Sequence, residues 1–180
     1  MPNRYVALLR GINVGGKNKL PMKLLTSMFE DAGCLDVASY IQSGNVVFTA
    51  TSDLAATLPG RITARISTEV GFRAPIMLRS ANQMAAVVDR NPMLAPGVPE
   101  DALHVMFLDD LPTPERLATL DPDRSTPDRF TVLGREVYLH LADGLARTKL
   151  TNAYFDSRLA TTSTIRNWRT VLKLRDMLGN

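Results

Sequence analysis

The sequence predicts an α+β fold made of two similar halves, and three observations lead there. Strand and helix signals run in the same order twice, a proline-rich break separates the two runs, and turn residues recur about 90 positions apart. At 180 residues, 45% hydrophobic and 22% charged, the chain has ordinary globular composition, which excludes disordered, collagenous and coiled-coil classes. That length buries roughly 70% of the unfolded surface, enough for one sizeable core or two small ones.

Arg4–Arg10 is a short apolar run between basic residues and reads as a buried strand. A glycine-rich segment, Gly11 to Lys19, follows it. Pro21 suits a first helical turn, and Leu24, Leu25, Met28, Phe29 and Ala32 keep helical spacing up to Gly33. Val37–Gln42 and Asn45–Thr49 read as a hairpin around Ser43-Gly44. Ile62, Ile66 and Val70 mark a second helix ending at Gly71, with Pro59-Gly60 expected to interrupt any start as early as Ser52. Pro75–Arg79 reads as a strand. Ser80 then caps a helix with Met84, Val87 and Val88 inward, closed at Asn91-Pro92.

Residues 93–100 form the expected linker, in a stretch from Asn91 to Glu100 holding Pro92, Pro96, Gly97 and Pro99. Subdomains are expected at 1–92 and 101–180. Beyond the linker, Leu103–Leu108 is a strand, and Thr113-Pro114 opens a helix with Leu117 and Leu120 inward. Phe130–Leu133 and Glu136–Leu141 pair around Gly134-Arg135, a two-residue turn with glycine first. Two helices close the chain, about Lys149–Leu159 and about Ile165–Leu178, with a Thr/Ser-rich break between them. Strand, helix, strand, strand, helix, strand is the split βαβ order of ferredoxin-like domains. The second half repeats it, with an extra C-terminal helix where the last strand would fall. Pro21 with Pro112, Gly44 with Gly134, and Val47-Phe48 with Val137-Tyr138 support an internal duplication.

The formal net charge of +3 hides an uneven distribution: residues 1–30 carry +4, residues 144–180 carry +5, and the middle carries −6. Basic ends around an acidic centre point to a local anion site, the plain alternative being two solvated faces that never meet. One cysteine, Cys34, excludes an intramolecular disulfide and cysteine-rich zinc sites. The apolar run Tyr5 to Leu9 is too short for a signal-peptide core or a membrane span, so a cytoplasmic protein without membrane partners is expected.

Loop length singles out one segment. Between its first strand and first helix the second half spends only Asp109 to Leu111, whereas the first half spends Gly11 to Leu20. The fold does not need those residues, which makes them a candidate for binding. Gly11 to Lys17 satisfies the G-x-x-x-x-G-K part of a nucleotide phosphate loop, with glycine N–H groups and Lys17 facing an anion. Asn18 stands where a Ser or Thr would hold magnesium, and a hairpin follows where parallel crossovers are required. The looser expectation is a Gly/Asn/Lys loop that contacts phosphate through Arg10, Asn13, Gly15, Gly16, Lys17 and Lys19. The turn residues Gln42, Ser43 and Asn45 are candidates beside it.

In the last helix, Arg166, Arg169 and Lys173 share a stripe and complete the candidate set, while Trp168 lies in the apolar face as a core residue. No catalytic constellation is recognisable: Ser43 has no evident base, and His104 and His140 fall mid-strand. The acidic pairs and clusters at Asp109, Asp110, Asp121, Asp123 and Asp128 lack metal-ligand spacing, and no cofactor is expected.

Three motifs together carry a family resemblance. Tyr5 to Asn18 (YVALLRGINVGGKN) resembles the opening signature of the bacterial domain-of-unknown-function family 1697. Tyr40 to Phe48 (YIQSGNVVF) is similar to its second motif, and Arg166-Asn167-Trp168-Arg169-Thr170-Val171 with Lys173-Leu174 to its closing helix. The resemblance spans the chain and implies a compact α+β protein of paired subdomains, with no activity attached. Pro59-Gly60 departs from the pattern. The residues favour a binding module for a phosphate-bearing ligand, a nucleotide or RNA. The alternatives are a protein-interaction or self-associating module, and an enzyme on a small phosphorylated substrate using Ser43 or Asn45.

Overall fold

The computed structural model describes residues 1–179 and has two compact units. The first comprises Met1–Ala85 and the chain from Leu174; the second is Ala86–Lys173. The proline-rich segment 93–100 lies within the second.

The first unit contains β1 (Asn3–Leu9), α1 (Met22–Asp31), β2 (Leu35–Tyr40), β3 (Asn45–Ala50), α2 (Ser52–Val70), β4 (Ile76–Ser80) and the start of α3 (Ala81–Asp89). Its four strands are antiparallel in the order β2-β3-β1-β4. The consecutive strands β3 and β4 are therefore separated by β1, the ferredoxin-like arrangement. Alternate residues Ala7, Leu9, Val46, Phe48 and Ile76 face Leu25, Met28 and Phe29 of α1 and Leu58, Ile62 and Ile66 of α2. Phe29 and Phe48 meet with ring centroids 5.2 Å apart and are fully enclosed. Burial of each such ring contributes about 2–3 kcal/mol.

Helix α2 corrects one expectation, because it runs unbroken through Pro59-Gly60. Proline costs the helix a hydrogen bond and glycine costs order. The stripe Ala55, Leu58, Ile62 and Ile66 stays buried on both sides of the pair, and the Thr51 hydroxyl caps the start by accepting from Leu54 N at 3.3 Å. Packing along the whole stripe outweighs the local penalty. Ser80 and Gln83 form a reciprocal capping box at the start of α3, with bonds of 3.3 and 2.9 Å.

The second unit contains β5 (Leu103–Leu108), α4 (Pro114–Leu117), β6 (Arg129–Leu133), β7 (Glu136–His140), α5 (Asn152–Leu159), β8 (Ser163–Asn167) and the start of α6 (Trp168–Met177). Strand order is β6-β7-β5-β8, again antiparallel. Met106, Leu108, Val137 and Leu139 pack on Leu150, Tyr154, Phe155 and Leu159. Gly134 takes φ 63° as the first residue of the β6–β7 turn, as its sequence position requires.

Two expectations fail in this half. Leu117 is exposed, because α4 is a single turn that ends before an inward face develops. Residues 165–167 are not helical: they complete β8, which pairs with β5 from Ser163 to Asn167, and the helix begins only at Trp168. Asn167 caps that helix, its side-chain oxygen accepting from Thr170 N at 2.8 Å. The second half thus has its fourth strand, and the order βαββαβα occurs twice. Arg79 and Arg166 occupy matching places, opposite Val6 and Val105, each donating to the preceding residue's carbonyl at 2.9 and 2.8 Å.

The strands also bury titratable groups. His104 on β5 is enclosed, and burial holds its imidazole below the ordinary range against a weaker backbone contribution from Ala102. The unfolded chain therefore takes up a proton that the folded chain resists, so stability falls as pH drops through the ordinary histidine range. Melting temperatures between pH 8 and 5.5 should show this decline, and His104→Gln should flatten it. An unchanged slope in the variant would assign the decline to other groups.

Candidate functional site

The loop after β1 leaves the sheet at Arg10, whose N–H donates to the Pro75 carbonyl at 2.9 Å. Ile12 and Leu20, each 1% exposed, anchor the two ends of the loop in the core. Between them the chain makes a miniature hairpin: Val14 bridges Lys17, and Lys17 N donates to the Val14 carbonyl at 3.0 Å. Gly15 and Gly16 sit at its tip with φ of 57° and 75°, a left-handed pair that glycine adopts without strain.

Two asparagines brace this hairpin with their side chains. Asn13, itself at φ 54°, accepts from Leu20 N at 2.8 Å and donates to the carbonyls of Leu20 at 3.0 Å and Gln42 at 2.9 Å. Asn18 donates to the Gly11 carbonyl at 2.9 Å. The Gln42 bond ties the loop to the β2–β3 turn, and Leu9 N closes the same corner by donating to the Gly44 carbonyl at 2.8 Å. Beneath that turn, Asn45 is fully enclosed and donates to the Tyr40 carbonyl and Ser43 hydroxyl, each at 3.0 Å. The result is a loop of defined shape, because nearly every bend in it has a hydrogen bond.

Nine of the sequence-predicted site residues therefore come together at one corner of the first sheet. Gly15, Gly16, Lys17, Lys19 and Gln42 are exposed there, and Arg10 is half-buried. The side chains of Asn13 and Asn45 hold the corner together. No carboxylate occurs before Glu30, so the corner's own segment is purely cationic. A Cβ on Gly11, Gly15 or Gly16 would meet nothing within 4 Å, so the glycine backbone faces open space.

The other three residues belong to the second unit. Arg166 is only 7% exposed, lies in β8 and donates to the Thr164 hydroxyl at 2.7 Å. It does not share a surface stripe with Arg169 and Lys173, which are exposed on α6. Its enclosure lowers the guanidinium to about 10. A nucleoside-triphosphatase phosphate loop is also ruled out by the topology. Lys17 stands in a hairpin, α1 begins only at Met22, and every strand pairing is antiparallel.

The comparisons agree with this architecture. The family model described as "Protein of unknown function (DUF1697)" matches residues 2–138. The chain belongs to the DUF1697 family. Among solved structures, a conserved bacterial protein SP0830 from Streptococcus pneumoniae is similar at 27% identity, covering 99% of each chain, with a TM-score of 0.65. No curated protein matches.

Within this DUF1697 member, both the cationic loop and the β2–β3 turn fall in the matched region. Ser43 has no histidine in its unit, the chain's two being His104 and His140 on β5 and β7. Cys34 is buried, and burial, partly offset by Arg61, pushes its thiol up to about 11 and so keeps it protonated and unreactive. Among the described residues no cluster of His, Cys, Asp and Glu is placed to hold a metal, and no helix is long and apolar enough to cross a membrane. Two residues of the corner escaped sequence reasoning: Val14 and Ile41 are 65% and 50% exposed on the loop and the adjoining turn. Their signal is an aliphatic residue beside polar turn residues, which sequence pattern alone reads as core.

Proposed function

We propose that this protein is a binding module for a phosphate-bearing ligand, a nucleotide or RNA, and that the β1–α1 loop is its contact surface. The observation that carries this reading is the braced, acid-free loop, which the second unit replaces with the short connection between β5 and α4. The backbone N–H groups of Gly15 and Gly16 have no acceptor among the described residues, and Lys17 and Lys19 have no ion-pair partner there. Two solvent-facing N–H donors beside two ammonium groups suit a phosphate oxygen. The reading rests on first-unit residues alone, since Arg169, Lys173 and the enclosed Arg166 belong to the second unit.

The test is a titration of the full chain with ATP and with a short oligoribonucleotide at 20 mM salt, followed through backbone amide resonances. The Gly15, Gly16 and Lys17 amides should shift with at least one of the two, and the shifts should collapse by 200 mM salt. Absence of any change at these amides with both probes would overturn the reading.

A further inference from the structure

We infer that the partner of this corner is single-stranded nucleic acid, with free nucleotides as poor ligands; this rests on the phosphate-binding reading above. Shape is the first argument. A mononucleotide is held by a concave pocket that buries most of its surface. Here the glycine tip faces open space, and Gly15 through Lys19 are all exposed, so the loop projects as a knuckle. A polymer needs no pocket, because it draws affinity from several phosphates and bases laid along a surface.

The second argument is the chemistry around the knuckle. Val14 precedes the glycine pair and Ile41 precedes Gln42, whose carbonyl accepts from Asn13, the residue before Val14. That bond sets the two aliphatic side chains on adjoining segments of one corner, and both are at least half exposed. Exposed aliphatic groups beside Lys17 and Lys19 match the alternation of base faces and phosphates along a single strand. Neither group reads a base edge, so binding is indifferent to sequence and strongly salt-dependent.

Fluorescence anisotropy with a labelled 12-nucleotide oligo-uridine, in competition with ATP and with inorganic tripolyphosphate, tests this on the full chain. The oligomer should bind at 20 mM salt, and neither competitor should displace it at equal phosphate concentration. Lys17→Ala/Lys19→Ala should weaken binding at least tenfold at 20 mM salt and lower the slope of log affinity against log salt by about 1.4, two single-strand phosphate contacts. Val14→Ser/Ile41→Ser should weaken binding severalfold and leave that slope unchanged. Circular dichroism should show both variants folded, since the four side chains are exposed. Displacement by ATP or tripolyphosphate at equal phosphate would overturn the inference and leave the phosphate site standing. A failure of all three probes to bind would overturn both.

Discussion

Replacing Gly44 by alanine is expected to remove about 3 kcal/mol or more of folding stability, whereas Gly134→Ala in the matching hairpin should cost about 1 kcal/mol. Both glycines have positive φ, 79° and 63°, so both variants carry the strain of a left-handed alanine. Only Gly44 is crowded. A Cβ there would lie 2.8 Å from the Leu9 Cβ and 2.9 Å from the Ile12 Cδ1, while the nearest atom at Gly134 is a flexible Glu136 oxygen at 3.8 Å. Leu9 and Ile12 are themselves fully packed, so neither has room to retreat. Urea denaturation of the two variants checks the difference. Equal losses would show that backbone strain alone is at work and that the corner tolerates added volume.

Asn13→Ala should have the next largest effect, a loss of about 2–4 kcal/mol, because three hydrogen bonds go at once and alanine inherits φ 54°. Asn13→Gly, which removes the same bonds without the strain, should recover about 1 kcal/mol of that. The loop should also come loose from the turn. Amide exchange at Lys17 and Leu20 should quicken in both variants, and oligonucleotide affinity should fall although Asn13 is turned inward. Unchanged exchange rates would mean that the hairpin from Val14 to Lys17 holds its shape unaided.

The sequence and the structure agree best where a segment's apolar period and its punctuation coincide over a whole element. Leu103–Leu108 is a strand with all six residues buried, and Ser80 caps a helix as its position suggests. They part where two signals overlap. Ile165, Trp168 and Leu172 have helical spacing, as do Arg166, Arg169 and Lys173, so the helical period extends backward over a strand. Asn167, a strong N-cap type, marks the true boundary, and the β-branched Thr164 and Ile165 belong with β5. At Pro59-Gly60 the reverse holds: local punctuation is overridden by a stripe of buried side chains. The candidate corner is marked in the sequence by the length of its loop against the matching connection of the second half. What spacing did not reveal is the division of labour inside it. An asparagine suited to bind phosphate and one suited to brace a turn look alike until their hydrogen bonds are known, as Asn13 and Asn45 show.

The first unit includes the chain from Leu174 onward, and Arg4 donates to the Met177 carbonyl at 2.8 Å. That contact joins residues 173 positions apart. During synthesis the amino-terminal sheet therefore emerges long before the last segment of its unit, which is complete only once translation has passed Leu174. The main core of the first unit draws on no residue beyond Leu78, so it closes from chain already made, and the segment from Leu174 joins it last.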